Sequence, residues 1–199
     1  MNDTSREEKA ALRHRIRDEL NRLAPGARAA ASARACSRLL QKQIWREARS
    51  VLLYIPLRDE LDVEPLLQDA LGAAKELALP YFDSQAESYL ARRVLDFKEH
   101  LQPGRFGIAE PKEGCPEVPL KRLDFILAPG VAFTADGRRL GRGKGFYDRL
   151  LASVCGIKCG IAFDEQIVDD IPAEPHDIRV DCISTPARWI GVGQGVVLK

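Results

Sequence analysis

The chain has 199 residues, 45% hydrophobic and 30% charged, with 30 Lys and Arg against 29 Asp and Glu. That length suits one well-buried domain, and a formal net charge of +1 supplies no global field to attract nucleic acid or an anionic membrane. No apolar run approaches a membrane span, and the charged opening residues lack the apolar core of a secretory signal, so any anion recognition must be local.

Leu12, Ile16, Leu20 and Leu23 recur at helical spacing and predict an amphipathic helix ending before Pro25-Gly26. Lys9, Arg13 and Arg17 stack on a neighbouring face as a short ladder of positive charge. From the residues alone, this ladder reads equally well as a solvated helix face. A second helix, rich in Ala, Arg and Leu, is expected over 27–43. The continuous apolar run 51–55 predicts a strand buried on both faces, followed by the polar loop Arg58-Asp59-Glu60. Pro65 marks the first turn of a helix running to about residue 75, and Leu77-Ala78-Leu79 is a short strand stopped by Pro80. A weaker strand is expected over 89–95. Residues 100–120, rich in Gly, Pro and charge, read as a long connection with little regular structure, of the kind that lines a site.

Residues 124–128 form the next buried strand, ended or kinked by Pro129-Gly130, and Asp136-Gly137 signals a turn. A helix is expected over 145–154, with strands over 158–163 and 180–184. Strands alternating with helices predict an α/β fold of one domain, a mostly parallel sheet covered by helices on both faces. The glycine-rich end, 191–199, is expected to be poorly ordered. The five cysteines are scattered, and Cys155 and Cys159 are four apart, which matches no redox or zinc knuckle. Buried free thiols in a reducing, cytoplasmic setting are the expectation.

The chemistry concentrates in Arg139-Leu140-Gly141-Arg142-Gly143-Lys144-Gly145-Phe146-Tyr147-Asp148. Alternating glycines let backbone amides approach a ligand and adopt positive φ. Such amides, with a helix start behind them and Arg142 and Lys144 among them, form a site for phosphate oxygens. The segment is not a P-loop, which requires Gly where Arg138 stands and Ser or Thr where Gly145 stands. Nor is it a dinucleotide fingerprint, which requires Gly in place of Phe146. A flexible basic surface turn is the competing reading.

The same block, with Pro129-Gly130-Val131-Ala132-Phe133 before it, resembles the signature of the 5-formyltetrahydrofolate cyclo-ligase family. The resemblance extends in order through Lys9-Ala10-Ala11-Leu12-Arg13, residues 54–60, Gly107-Ile108-Ala109-Glu110-Pro111 and Asp181. It implies a Rossmann-like sheet and an enzyme that turns 5-formyltetrahydrofolate into 5,10-methenyltetrahydrofolate with ATP and Mg2+, releasing ADP and phosphate. By position it implies that Lys9, Arg13 and the stretch Arg139 to Tyr147 bind ATP. Ile55, Glu60 and the stretch Arg142 to Phe146 would contact the folate, and Asp148 and Asp181 would hold magnesium. The family commonly carries two tyrosines before the aspartate, and Phe146 lacks the first hydroxyl. A monomer acting on small molecules, without nucleic acid or membrane, is the expectation. No Ser-His or Cys-His pairing suggests a covalent intermediate, and His14, His100 and His176 show no metal spacing.

Overall fold

A computed structural model describes residues 3–104, 107–174 and 176–193. The chain opens with α1 (Asp3–Asn21), α2 (Pro25–Leu40) and α3 (Gln43–Glu47), then enters β1 (Ser50–Leu52). Next come α4 (Glu64–Gly72), β2 (Glu76–Asp83), β3 (Ser88–Arg93), α5 (Phe97–His100), β4 (Leu101–Pro103) and β5 (Ala109–Pro111). The second half holds β6 (Phe125–Ala128), β7 (Ala132–Phe133), β8 (Arg139–Leu140), α6 (Phe146–Ala152), β9 (Ile157–Ile161), β10 (Cys182–Ser184) and β11 (Trp189–Gly191).

Across the main sheet the order is β11-β10-β9-β6-β1-β2-β3. The five strands from β10 to β2 are mutually parallel, and β3 and β11 close the two edges antiparallel. Counting only the parallel strands in chain order, the sheet reads 2-1-3-4-5, one of the two common doubly wound orders. Its switch point lies between β1 and β6, where a crevice opens at the carboxyl ends of the strands.

Period-two alternation sorts the strand side chains onto two faces. Val51, Leu53, Leu77, Leu79, Phe125, Leu127 and Cys159 pack beneath α1–α4. Leu52, Ala78, Ile126, Ala128 and Ile183 pack against Leu150, Leu151 and Val154, in and just after α6. Helices cover both faces, but unevenly.

Several boundaries differ from expectation for identifiable reasons. The helical stretch expected over 27–43 begins at Pro25, whose locked φ suits a first turn. It breaks where Lys42 turns extended ahead of α3. Pro80 does not stop β2, which runs on to Asp83. Val94 N–H donates to Leu77 O, so odd-numbered β2 positions bond to β3 and the nitrogen of Pro80 faces the other side. There β1 has already ended opposite Ala78, so no ladder bond is lost.

The connection over 100–120 is more ordered than expected, since β4 and β5 pair as a hairpin that packs on β2. Of the tail, Trp189–Gly191 is a strand and Val192 N–H donates to Asp181 O at 2.9 Å; residues 194–199 lie outside the described set. Four cysteines are buried, but Cys155 is exposed. Burial beside Asp62 pushes the Cys36 thiol up to about 12. No described helix is long and apolar enough to cross a membrane.

The amino edge of the sheet is pinned by Asp124, whose Oδ2 accepts from Arg49 N, Ser50 N and Ser50 Oγ at 2.9, 2.9 and 3.0 Å. Partial burial works to raise its pKa, but these donors outweigh it and hold the carboxyl below the usual carboxylate range. Because the folded value is depressed, its stabilisation is present above the unfolded pKa and lost as pH falls through the folded one. Asp124→Ala is expected to cost about 1 kcal/mol at neutral pH, low for charged hydrogen bonds because the residue is exposed and screened. In urea melts the gap to wild type should close on acidification; a pH-independent gap would show that the carboxylate charge is irrelevant.

Candidate active site

The switch-point crevice is a cavity of about 690 Å3. Tyr54, Ile55, Leu57 and Glu60 reach it from the segment after β1, Pro129 and Gly130 from the end of β6, and residues 139–148 from β8 through the start of α6. The apolar run after β1 outlasts the strand because Tyr54 and Ile55 form the cavity wall. The β4–β5 hairpin contributes Ile108, Ala109 and Glu110.

The glycine segment is held open by its backbone. Gly143 (φ 95°) and Gly145 (φ 66°) lie in the left-handed region that favours glycine. Gly141 does not; a Cβ there would make a tight 3.1 Å contact with a guanidinium nitrogen of Arg139, which is itself held in place by Pro129 and Asp148. The segment emerges from the β7–β8 hairpin, whose turn uses Gly137 at φ 86°. Arg139 is therefore a strand residue, only 4% exposed. Its Nη1 donates to Pro129 O at 2.9 Å and its Nη2 to Asp148 Oδ1 at 2.6 Å. One guanidinium thus ties the end of β6 to the first turn of α6.

Helix α1 crosses this loop. Arg13 Nε donates to Gly141 O at 2.8 Å, with its guanidinium over Gly143. Lys9 is only 8% exposed, so the solvated-face reading fails for it, and its Nζ lies 3.1 Å from Glu174 Oε2 and 2.8 Å from Asp177 Oδ2. Arg17, the third rung, remains exposed. Among the described residues, Arg6, Arg13 and Lys144 line the cavity without a carboxylate partner.

Aromatic and acidic side chains also line the cavity. Phe146 packs edge-on against Phe82 (4.9 Å between centroids) and Tyr89 (6.0 Å), with Tyr147 5.6 Å from Tyr89. The ring that replaces the family's tyrosine therefore sits in an aromatic cluster. Arg142 bridges the loop to the segment after β1, 2.7 Å from Asp59 and 3.2 Å from Glu60. Glu60 Oε2 also accepts from Leu57 N at 2.9 Å. Burial raises the Glu60 pKa, opposed by the Leu57 amide and the Arg142 charge. Burial, together with the nearby Glu60 carboxylate, pushes the phenols of Tyr54 and Tyr147 well above their ordinary value.

Asp148 and Asp181 are not brought together. Asp148 opens onto the cavity at the carboxyl edge of the sheet. Asp181 precedes β10 at the amino edge, where its Oδ2 accepts from Lys158 N at 2.8 Å and caps the start of β9. The two edges of a parallel sheet lie a strand length apart, roughly 15 Å here, so these aspartates cannot share one ion. Of this pair only Asp148 lies at the cavity, where its Oδ2 has no donor among the described residues; magnesium takes one or two carboxylates plus phosphate oxygens and water. Glu174, His176 and Asp177, on another part of the lining, also bring ligand atoms within 4.8 Å of one another. Sequence reasoning assigned no role to Glu174, Asp177, Tyr54, Tyr89 or Asp59, although the proline-rich loop around His176 reads as one that could line the site and does so here. A charged pair inside a proline-rich loop gives no periodic signal, and its partner Lys9 lies at the other end of the chain.

Comparison with known proteins identifies the family of the chain. The model of the 5-formyltetrahydrofolate cyclo-ligase family matches residues 5–186. The 5-formyltetrahydrofolate cyclo-ligase of Escherichia coli K12 is 32% identical over 177 residues, covering 87% of this chain and 97% of that protein. The mouse protein of the same name is 29% identical over 184 residues, covering 87% and 91%. The solution structure of Aquifex aeolicus 5,10-methenyltetrahydrofolate synthetase superposes with a TM-score of 0.84 at 36% identity, covering 96% of each chain. With its site assembled at the switch point and its match spanning almost its full length, this chain belongs to the 5-formyltetrahydrofolate cyclo-ligase family.

Proposed function

We propose that this protein converts 5-formyltetrahydrofolate to 5,10-methenyltetrahydrofolate with ATP, releasing ADP and phosphate. The observation that carries this reading is the convergence of Arg13, from the first helix, and Lys144, from the glycine loop, on one cavity that Phe146, Tyr147 and Tyr89 also line. Cations without a carboxylate partner suit a triphosphate, and the rings that line the same cavity suit a pterin.

The formyl carbon is amide-like and its oxygen leaves poorly. Transfer of the γ-phosphoryl group to that oxygen converts it to phosphate, and attack by the substrate's own N10 then expels phosphate and closes the ring. The protein's share is alignment and charge neutralisation. Arg13 and Lys144 neutralise the triphosphate, and the amides around Gly143 and Gly145 line its path. Glu60, pinned by the Leu57 amide, offers an acceptor to folate N–H groups, while Ile55, Phe146 and Tyr147 confine the ring. Asp148 would hold Mg2+ against the phosphates, where the ion supplies charge neutralisation. The four buried free thiols suit a reducing, cytoplasmic setting.

Purified protein with ATP, Mg2+ and 5-formyltetrahydrofolate should accumulate methenyltetrahydrofolate, followed by its near-ultraviolet absorbance, with one ADP per product. ATP binding without any folate-dependent product would instead point to a paralogue with another substrate.

A further inference from the structure

Lys9 has a feature that anion binding alone does not require. An ammonium this buried is costly to ionise unless it is paired, and it meets two carboxylates, both from the segment between β9 and β10. Asp177 is itself rigid: its Oδ2 accepts from Glu174 N at 2.8 Å, and Asp177 N donates to Glu174 O at 3.0 Å, closing a tight turn. The segment is fastened upstream as well, where Ile171 is buried and its carbonyl accepts from Arg138 Nη1 at 2.8 Å. The pair of carboxylates is thus a fixed rest for a flexible side chain. The charge of Asp177 also reaches Arg13, opposing the lowering that burial imposes on that guanidinium.

We propose that Glu174 and Asp177 are positioning residues that hold the Lys9 ammonium, and through it the first turns of α1, at the cavity for the nucleotide's phosphates. This rests on the reading that the cavity takes a nucleotide. The carboxylates do not contact the phosphates favourably themselves; they act through Lys9. Their charge is balanced by Lys9 and Arg13, so they set geometry without making the site repulsive. His176, although exposed, lines the same cavity with its Nε2 3.4 Å from Glu174 Oε2.

The test is calorimetric binding of a non-hydrolysable ATP analogue with Mg2+ to wild type, Asp177→Asn, Lys9→Ala and the double variant, beside binding of 5-formyltetrahydrofolate. Asp177→Asn should weaken nucleotide binding on the order of tenfold, with folate affinity unchanged. The double variant should bind no more weakly than Lys9→Ala, because a residue acting only through Lys9 has nothing left to position. Unchanged or tighter nucleotide binding by Asp177→Asn would overturn the proposal, as would losses that multiply in the double variant. So would an equal loss for both ligands accompanied by a lower Tm, the mark of a merely structural tether. Should Asp177→Asn fail to fold, Glu174→Gln, which keeps volume and one acceptor, should show the same selective loss at a severalfold level. Wild type that binds the analogue but makes no methenyl product would sink the proposed reaction while leaving this inference standing. Wild type that binds no nucleotide would sink the inference.

Discussion

Lys144→Ala should lower kcat/KM by about 10²- to 10³-fold, the scale seen when one preorganised charge-stabilising donor is removed from a transition state. Lys144 is exposed and lies at the cavity without a carboxylate partner among the described residues, so its charge is available to a ligand rather than spent on the fold. Truncation should therefore leave the Tm within about 2 °C of wild type, as for other surface changes. If Lys144 acts in the transition state, kcat falls with kcat/KM; a rise in KM for ATP alone would limit it to ground-state binding. Steady-state kinetics with ATP varied at saturating folate separates the two. Activity retained within a factor of two would remove the loop from the mechanism.

Arg139→Met should produce the largest loss of stability, about 3 kcal/mol, which for a chain of this size lowers the Tm by roughly 10 °C. The Arg139 side chain is 1% exposed, and its substitution strands the Asp148 carboxylate and the Pro129 carbonyl together. Asp148 keeps 15% of its side-chain surface exposed, so water recovers part of the loss, and the estimate sits at the low end for a broken buried pair. Methionine fills the volume, which isolates the electrostatic effect from a cavity. Among the described residues the buried Arg139 Nε has no hydrogen-bond partner, so the wild-type pair is itself imperfectly satisfied. Asp148→Asn keeps an acceptor for Arg139 and should cost less stability. Its main effect should be to raise the Mg2+ concentration needed for half-maximal turnover. Thermal melts of both variants decide the point: equal Tm losses would make Asp148 a structural partner only.

Much of the fold follows from local chemistry. The continuous apolar runs at Val51 and Phe125 become central parallel strands because burial on both faces needs no polar alternation. Pro25 and Pro65 start helices because a locked φ and a missing donor cost nothing in a first turn. The glycine loop is legible because positive φ at Gly143 and Gly145 is a backbone demand that only certain residue types meet.

What the sequence could not give is whatever depends on two distant segments. Pro80 reads as a stop signal until the register with β3 shows its nitrogen facing an empty side of the ladder. Asp148 and Asp181 read as an equivalent pair until strand direction puts them at opposite edges of the sheet. Lys9 reads as a solvent-facing rung until the turn at Glu174 and Asp177 folds over it, far away in the chain. Propensity, patterning and turn chemistry act over a few residues, so they specify the elements and the phosphate loop. Which charges face one another across a cavity is decided by strand order and crossover direction, and those emerge only when the sheet closes.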